Sequence, residues 1–131
     1  MPKFLLHGSY TREGVQGLVK DGGSARAKAL EAAVKGLGGK QEAFYFAFGG
    51  ADVYAIVELP DVASAAALSL AVSAAGSFSP TTTVLISPSE MDQGTKKTVA
   101  YRPPGASVVA AKPAAAKPSA KPASKKPAGR R

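Results

Sequence analysis

Six polar side chains in the first 54 residues have the chemistry to hold a ligand or to move a proton. They are His7, Tyr10, Arg12, Tyr45, Asp52 and Tyr54. His7 is the single histidine of the chain, and the charge of an imidazole changes near neutral pH, so this residue is a candidate proton shuttle or ligand contact. A histidine with a purely structural role on a strand is the alternative.

The other candidates also have structural interpretations. Tyr45 and Tyr54 fall on neighbouring predicted strands and can present their hydroxyl groups to one cavity, but tyrosines on half-buried strands also serve as packing residues. Asp52 comes after Gly49-Gly50-Ala51 in a turn and is either an acid in a site or a turn anchor whose carboxylate accepts backbone hydrogen bonds. Arg12 stands beside a helix start, where it either holds a ligand carboxylate or is solvated. These alternatives stay open at the level of sequence.

Composition excludes several classes of site. The chain has no cysteine, which excludes disulfides, thiolate metal ligands and a cysteine nucleophile. A lone histidine without carboxylates at ligand spacing does not make a zinc site. No phosphate-binding loop and no set of nucleophile, base and orienting group occurs in the sequence. We therefore expect no metal and no cofactor, and the residues identify no reaction.

Charge divides the chain into a body and a tail. Residues 1–101, the body, carry nine basic and nine acidic side chains, whereas residues 102–131, the tail, carry eight basic side chains and no acidic one. The tail repeats Lys-Pro in a background of Ala and Ser, which predicts a disordered segment with polyproline character. Its candidate contacts with nucleic acid or another polyanion are Lys112, Lys117, Lys121, Lys125, Lys126, Arg130 and Arg131. The alternative is a tail that only keeps a neutral body soluble.

The pattern of apolar residues predicts one α+β domain in the body. Thr11 is a predicted helix N-cap, Gly38 a left-handed helix end, and Ser87-Pro88-Ser89-Glu90 a capping box. The predicted elements are a strand at Lys3–Tyr10, a helical segment from Thr11 to about Gly22, a helix from Ser24 to Gly38, strands at Glu42–Phe48 and Asp52–Leu59, a helix at Val62–Ala75, a strand at Thr81–Ile86 and a short helix to about Lys97.

Both strands of the predicted hairpin are apolar on both faces. Alternation places Phe44, Phe46 and Phe48 on one face of the second strand, and it places Val53, Ala55 and Val57 opposite Tyr54 and Ile56 on the third. The helix at Val62–Ala75 has small residues all round, which predicts packing on more than one side.

The element order predicts a ferredoxin-like βαββαβ antiparallel sheet with its helices on one face. A monomer with a second apolar face would expose a large patch, which soluble proteins rarely do. The sequence therefore predicts a homodimer whose two sheets face each other and close into a dimeric α+β barrel.

Motifs along the body form a recognisable combination. They are Tyr10-Thr11-Arg12-Glu13-Gly14, Leu37-Gly38-Gly39-Lys40, Tyr45 followed by Phe48-Gly49, the run from Asp52 to Asp61 and the threonines before Leu85. In this combination the body resembles the GYD domain, a bacterial and archaeal family allied to the dimeric α+β barrels. The resemblance implies that fold and a homodimer but brings no agreed biochemical activity. The chain has Gly50-Ala51-Asp52 in place of the family's Gly-Tyr-Asp signature, so a pocket lined by that tyrosine would be altered here.

The function predicted from these observations is a non-enzymatic binding protein. Its expected partners are a second copy of the chain and, through the tail, a polyanion such as nucleic acid. Relatives of the implied fold include cofactor-independent monooxygenases and isomerases, so the alternative is a small-molecule-binding barrel or an enzyme with a pocket near His7, Tyr45 and Tyr54. The sequence contains no signal peptide and no apolar run of ~20 residues, which predicts a soluble cytoplasmic protein without a membrane partner.

Overall fold

The computed structural model of the chain describes residues 1–105 and 109–111. The chain divides into two compact units, Met1–Leu85 and a second that begins at Ile86. The seven basic side chains of the tail from Lys112 onward lie outside the described residues, so their contact with a polyanion stays a prediction.

The first unit contains four strands and three helices. In chain order they are β1 (Lys3–Tyr10), α1 (Arg12–Asp21), α2 (Gly23–Gly36), β2 (Lys40–Phe46), β3 (Val53–Glu58), α3 (Val62–Ala75) and β4 (Phe78–Leu85). The described part of the second unit contains α4 (Pro88–Thr95), β5 (Val99–Tyr101) and β6 (Val109–Ala111). β5 and β6 pair antiparallel, so a strand lies within the range that the sequence analysis assigns to the tail.

The strands of the first unit form one antiparallel sheet in the order β2-β3-β1-β4. β1 is an inner strand, and its Leu6 lies between Ala55 of β3 and Thr82 of β4. A split βαββαβ unit has its first and third strands in the middle of the sheet, which is the order found here. The predicted α+β, ferredoxin-like fold class is confirmed.

Short local motifs begin and end the helices as the sequence predicts. Thr11 Oγ1 accepts a backbone hydrogen bond of 3.2 Å at the start of α1, and Ser87 forms the capping box of α4. Asp61 caps α3, and the hydroxyl and amide of Ser64 together hold the pKa of the Asp61 carboxyl below its ordinary value. Gly38 follows α2 with a φ of 84°, a left-handed conformation that favours glycine. These bonds supply partners for N–H groups that the first helical turn leaves free.

The core lies between the sheet and the helices α2 and α3. Alternate residues of β1 and β3 point into it, because side chains along a strand alternate between the two faces of the sheet. The buried apolar side chains are Phe4, Leu6, Val34, Ala55, Val57, Leu59, Ala65 and Leu68. The predicted grouping of Val53, Ala55 and Val57 on one face of β3 is confirmed, and we call that side of the sheet the helical face.

The connection between β2 and β3 begins earlier than the sequence predicts. β2 ends at Phe46, and Phe48 lies in the loop with 99% of its surface exposed. The prediction that Phe48 shares a face of the strand with Phe44 and Phe46 is therefore wrong. The pairing of the strands ends where the N–H of Ala47 donates to the carbonyl of Asp52 at 2.8 Å, a contact that strand propensity does not encode.

The last strand of the sheet is longer than predicted. β4 begins at Phe78 rather than at Thr81, and it includes Pro80. A proline has no N–H to donate, but an edge strand has one unpaired side on which the missing donor costs nothing. Because β4 is an edge strand, Pro80 does not end it.

α3 packs on one side only in the described chain. It buries Ala65 and Leu68 against the sheet, whereas Leu70 on another side is 71% exposed. The prediction of packing on more than one side is wrong for the described residues, because a helix that covers one sheet face needs only one apolar stripe. None of the helices among the described residues is long and apolar enough to cross a membrane.

Candidate functional site

The sheet of the first unit has a second face, which we call the open face. Its residues alternate with the buried ones, and Tyr45 and Tyr54 on it are 70% and 39% exposed. The uncharged residues of the open face are Leu5, His7, Ser9, Ala43, Tyr45, Tyr54, Ile56, Ser79, Thr81, Thr83 and Leu85. The predicted placement of Tyr54 and Ile56 opposite Val53, Ala55 and Val57 agrees with this arrangement.

Three of the six candidate site residues form a row across the open face. Tyr45 of β2 pairs with Tyr54 of β3, Tyr54 pairs with His7 of β1, and His7 pairs with Thr81 of β4. The rings of His7 and Tyr54 are stacked, with centroids 5.7 Å apart and an angle of 7° between their planes. The row brings one imidazole, two phenols and a hydroxyl together, groups that can donate and accept hydrogen bonds at a ligand or a partner surface. Its role in binding stays a prediction.

One corner of the open face is charged. The ammonium of Lys3 donates to Glu42 Oε2 at 2.6 Å and lies 3.8 Å from Glu58 Oε2. The hydrogen bond to Glu42 raises the pKa of Lys3 above its ordinary value. Lys40 pairs with Glu58 at the same end of the sheet, so the corner holds two cations and two anions. Its net charge is zero.

The other three candidate residues lie away from the row. Tyr10 is on the helical face, where its ring meets that of Phe78 edge-on with centroids 5.1 Å apart. Arg12 is the exposed first residue of α1. The structure therefore divides the six candidates between the two faces of the sheet, the start of α1 and the loop between β2 and β3.

Asp52 holds the β2–β3 connection onto β1. Its Oδ2 accepts a hydrogen bond from the Tyr10 N–H at 3.0 Å, and its own N–H donates to the Gly8 carbonyl at 2.8 Å. Both partners are more than 40 residues away in sequence, so these bonds connect two distant segments. Of the two interpretations of Asp52, the contacts support the anchor.

A cavity on the helical face was not anticipated from the sequence. It has a volume of about 170 Å³ and lies between the sheet, α2 and α3. Its lining is Leu6, Tyr10, Arg26, Ala29, Leu30, Ala33, Phe44, Val53, Ala55, Leu68, Val72, Phe78 and Pro80. Arg26, Ala29, Leu30 and Ala33 follow the helical spacing i, i+3, i+4, i+7, a pattern that can be read in the sequence but resembles an ordinary core stripe.

No group of three or more His, Asp or Glu side chains within residues 1–105 and 109–111 is arranged to hold a metal ion. The polar groups of the two sites are phenol, imidazole, guanidinium and hydroxyl groups. Such groups favour recognition by hydrogen bonding and charge.

Comparison with known proteins assigns the chain to a family. Comparisons with curated proteins and with solved structures found no match. The profile of the GYD domain matches residues 4–94, which is more than half of the chain and includes the row of Tyr45, Tyr54 and His7 and the cavity. The chain therefore belongs to the GYD domain family.

Proposed function

We propose that this GYD domain protein is a non-enzymatic binding protein that acts as a homodimer joined through its open faces. The observation that carries the proposal is the exposure of Tyr45 and Tyr54 beside Leu5 and Ile56 on a sheet face that is uncharged apart from one corner. Aromatic side chains bury large areas and dominate the energetics of interfaces. A face of this composition gains stability when another surface covers it.

Charge favours a second copy of the chain as the partner. In a twofold interface each surface meets itself, so the surface must be complementary to itself. The charged corner carries two cations and two anions, and the rest of the open face is uncharged, so two copies meet without repulsion between like net charges. A strongly acidic or strongly basic partner would meet no opposite net charge on the open face.

Replacing Tyr54 with Asp is expected to convert the dimer into a monomer. Each interface buries two copies of the new charge without a counter-ion, and an unpaired buried charge costs several kcal/mol. The dimer dissociation constant should therefore rise by about 100-fold or more. Sedimentation velocity and light scattering at micromolar concentration measure the change, and circular dichroism checks the fold.

Val19→Asp is the matched control for this experiment. Val19 lies on α1, is 80% exposed and is not part of the open face, so a new charge there should leave the dimer intact. A natural chain that is monomeric at micromolar concentration would contradict the proposal, and so would a Tyr54→Asp variant that remains dimeric.

The row on the open face supports a second candidate, a small-molecule-binding barrel or a cofactor-independent enzyme. The specific observation is that Tyr45, Tyr54 and His7 occupy successive register positions, so their polar groups can converge on one bound molecule. A ligand between two facing sheets would contact the row of each copy.

His7→Phe and Tyr54→Phe distinguish this second candidate from simple packing. Both side chains are partly exposed, so their replacement should change the melting temperature little. If the row holds a ligand, each variant purified from the native host should lose a small molecule that native mass spectrometry detects on the natural protein. A large loss of stability with no change in bound molecules would instead identify the two residues as packing residues.

The tail supplies the second part of the proposed function, contact with polyanions such as nucleic acid. The seven basic side chains after Ala111 stand in a stretch without acidic residues, and phosphate neutralisation needs only such charges. The stretch contains no aromatic residue on which bases could stack, so binding should not depend on base sequence.

A further inference from the structure

The cavity on the helical face has room because small side chains stand where larger ones would fill it. Its lining includes three alanines, Ala29 and Ala33 of α2 and Ala55 of β3, and α3 contributes Leu68 and Val72. Both α2 alanines are exposed, so the space communicates with solvent beside that helix. A volume of about 170 Å³ is slightly larger than the 150 Å³ or so that holds a benzene molecule in an engineered apolar cavity.

Arg26 gives this apolar cavity a single positive charge. It is the one charged residue among the described residues that line the space, and it is half-buried. Within the described part of the chain its guanidinium has no ion pair and its side chain no hydrogen bond. A guanidinium at the edge of an apolar space is stabilised when an anion enters, since the pair forms where the local dielectric constant is low.

Tyr10 also lines the cavity, and its side chain carries a hydroxyl donor. Its ring packs edge-on against Phe78, which also lines the cavity, so the position of the phenol is set by a contact within the sheet. The remaining lining residues are aliphatic, aromatic or proline side chains. The cavity thus combines one cation and one hydroxyl with an apolar interior.

We infer that this cavity binds a small carboxylic acid with an apolar body, the size of one aromatic ring or a short alkyl chain. A carboxylate carries one negative charge and matches the planar fork of Arg26 with two parallel hydrogen bonds. A phosphate would carry further charge for which the lining has no second cation. The apolar body fills the space between α2 and α3, and its burial supplies the hydrophobic part of the affinity.

This site is separate from the proposed dimer surface. Arg26 and the cavity lie on the helical face, whereas the row of Tyr45, Tyr54 and His7 lies on the open face of the same sheet. The inference therefore does not depend on whether the open face binds a second copy or a ligand.

Phenylacetate and its neutral analogue phenylacetamide test the site on the full chain by isothermal titration at pH 7. We expect the natural protein to bind the acid about tenfold or more tightly than the amide, because only the acid brings a negative charge and two equivalent oxygens to pair with the guanidinium of Arg26. In Arg26→Gln the two compounds should bind with similar affinity. Ala33→Leu and Ala29→Leu place a larger side chain in the cavity from the exposed side of α2. Each should abolish the binding of both compounds, while the melting temperature stays level or rises.

Arg12→Gln is the matched control, since it removes the same charge from an exposed position outside the cavity. It should retain the full preference for the acid, which separates the site from a general attraction of anions to a basic protein. The inference is overturned if neither compound binds at millimolar concentration, if the natural protein binds both equally, if Arg26→Gln keeps the preference, or if the filled variants still bind.

Discussion

A chain that ends at Ala111 is expected to lose nearly all affinity for duplex DNA, while the full chain binds it independently of base sequence. The removed segment holds seven basic side chains and no acidic one, and the body is close to neutral. If most of the seven neutralise phosphates, log K against log salt should have a slope of roughly −4 to −6, at about −0.9 per phosphate. Raising salt from about 50 to 200 mM should then weaken binding by roughly a thousandfold.

Truncation after Ala111 keeps the described fold complete, because β6 ends there and pairs with β5. The matched control is a full-length chain in which the same seven residues are replaced by Gln, which preserves the length and removes the charge. It should bind as weakly as the truncated chain. Truncated protein with undiminished affinity, or full-length protein that does not bind even at low salt, would leave the tail as a device for solubility.

Gly8→Ala is expected to be among the most destabilising single changes in the chain. A Cβ atom at Gly8 would stand 1.9 Å from the carbonyl oxygen of Ser79 on the neighbouring strand β4. The nearest atoms are backbone atoms rather than the end of a flexible side chain, so the backbones of β1 and β4 would have to move apart. Such overpacking costs about 3 kcal/mol or more of folding stability. Thermal unfolding followed by circular dichroism should show a melting temperature lower by roughly 10–20 °C.

Gly17→Ala provides the same chemical change without the clash. Gly17 lies inside α1, and a Cβ there meets no atom within 4 Å. Alanine at an unobstructed helix position should stabilise the protein by about 0.5–1 kcal/mol. Equal melting temperatures for Gly8→Ala and Gly17→Ala would show that β1 and β4 do not approach as closely as the structure describes.

The helix boundaries could be predicted from the sequence because they are set by residues close together in the chain. Asp61 caps α3 by bonding Ser64, three residues away, and Ser87 does the same for α4 through Glu90. The alternation that divides β3 between two faces is likewise a property of neighbouring residues. Caps and alternation depend on residues within one helical turn or one strand, so they can be predicted without knowing how the rest of the chain folds.

The grouping of site residues was partly predictable. The sequence suggested that Tyr45 and Tyr54, on neighbouring strands, can present their hydroxyl groups to one cavity, and the structure places the two residues directly opposite each other. The stacking of His7 on Tyr54 depends on the register between β1 and β3, which joins residues 47 positions apart. A register is decided by the packing of both strands against the helices, and no short segment encodes it.

Several features follow directly from the sequence: the order and type of the main elements, the helix caps, the two-faced strands and the charge of the tail. Other features emerge only when the chain is folded: the bond between Asp52 and Tyr10, the exposed position of Phe48, the close approach of Gly8 to Ser79 and the cavity lined by Arg26. The first group follows from propensities and charges that act over a few residues. The second group consists of contacts between segments far apart in the chain. These contacts depend on the volumes of the packed side chains and on the distance between neighbouring backbones.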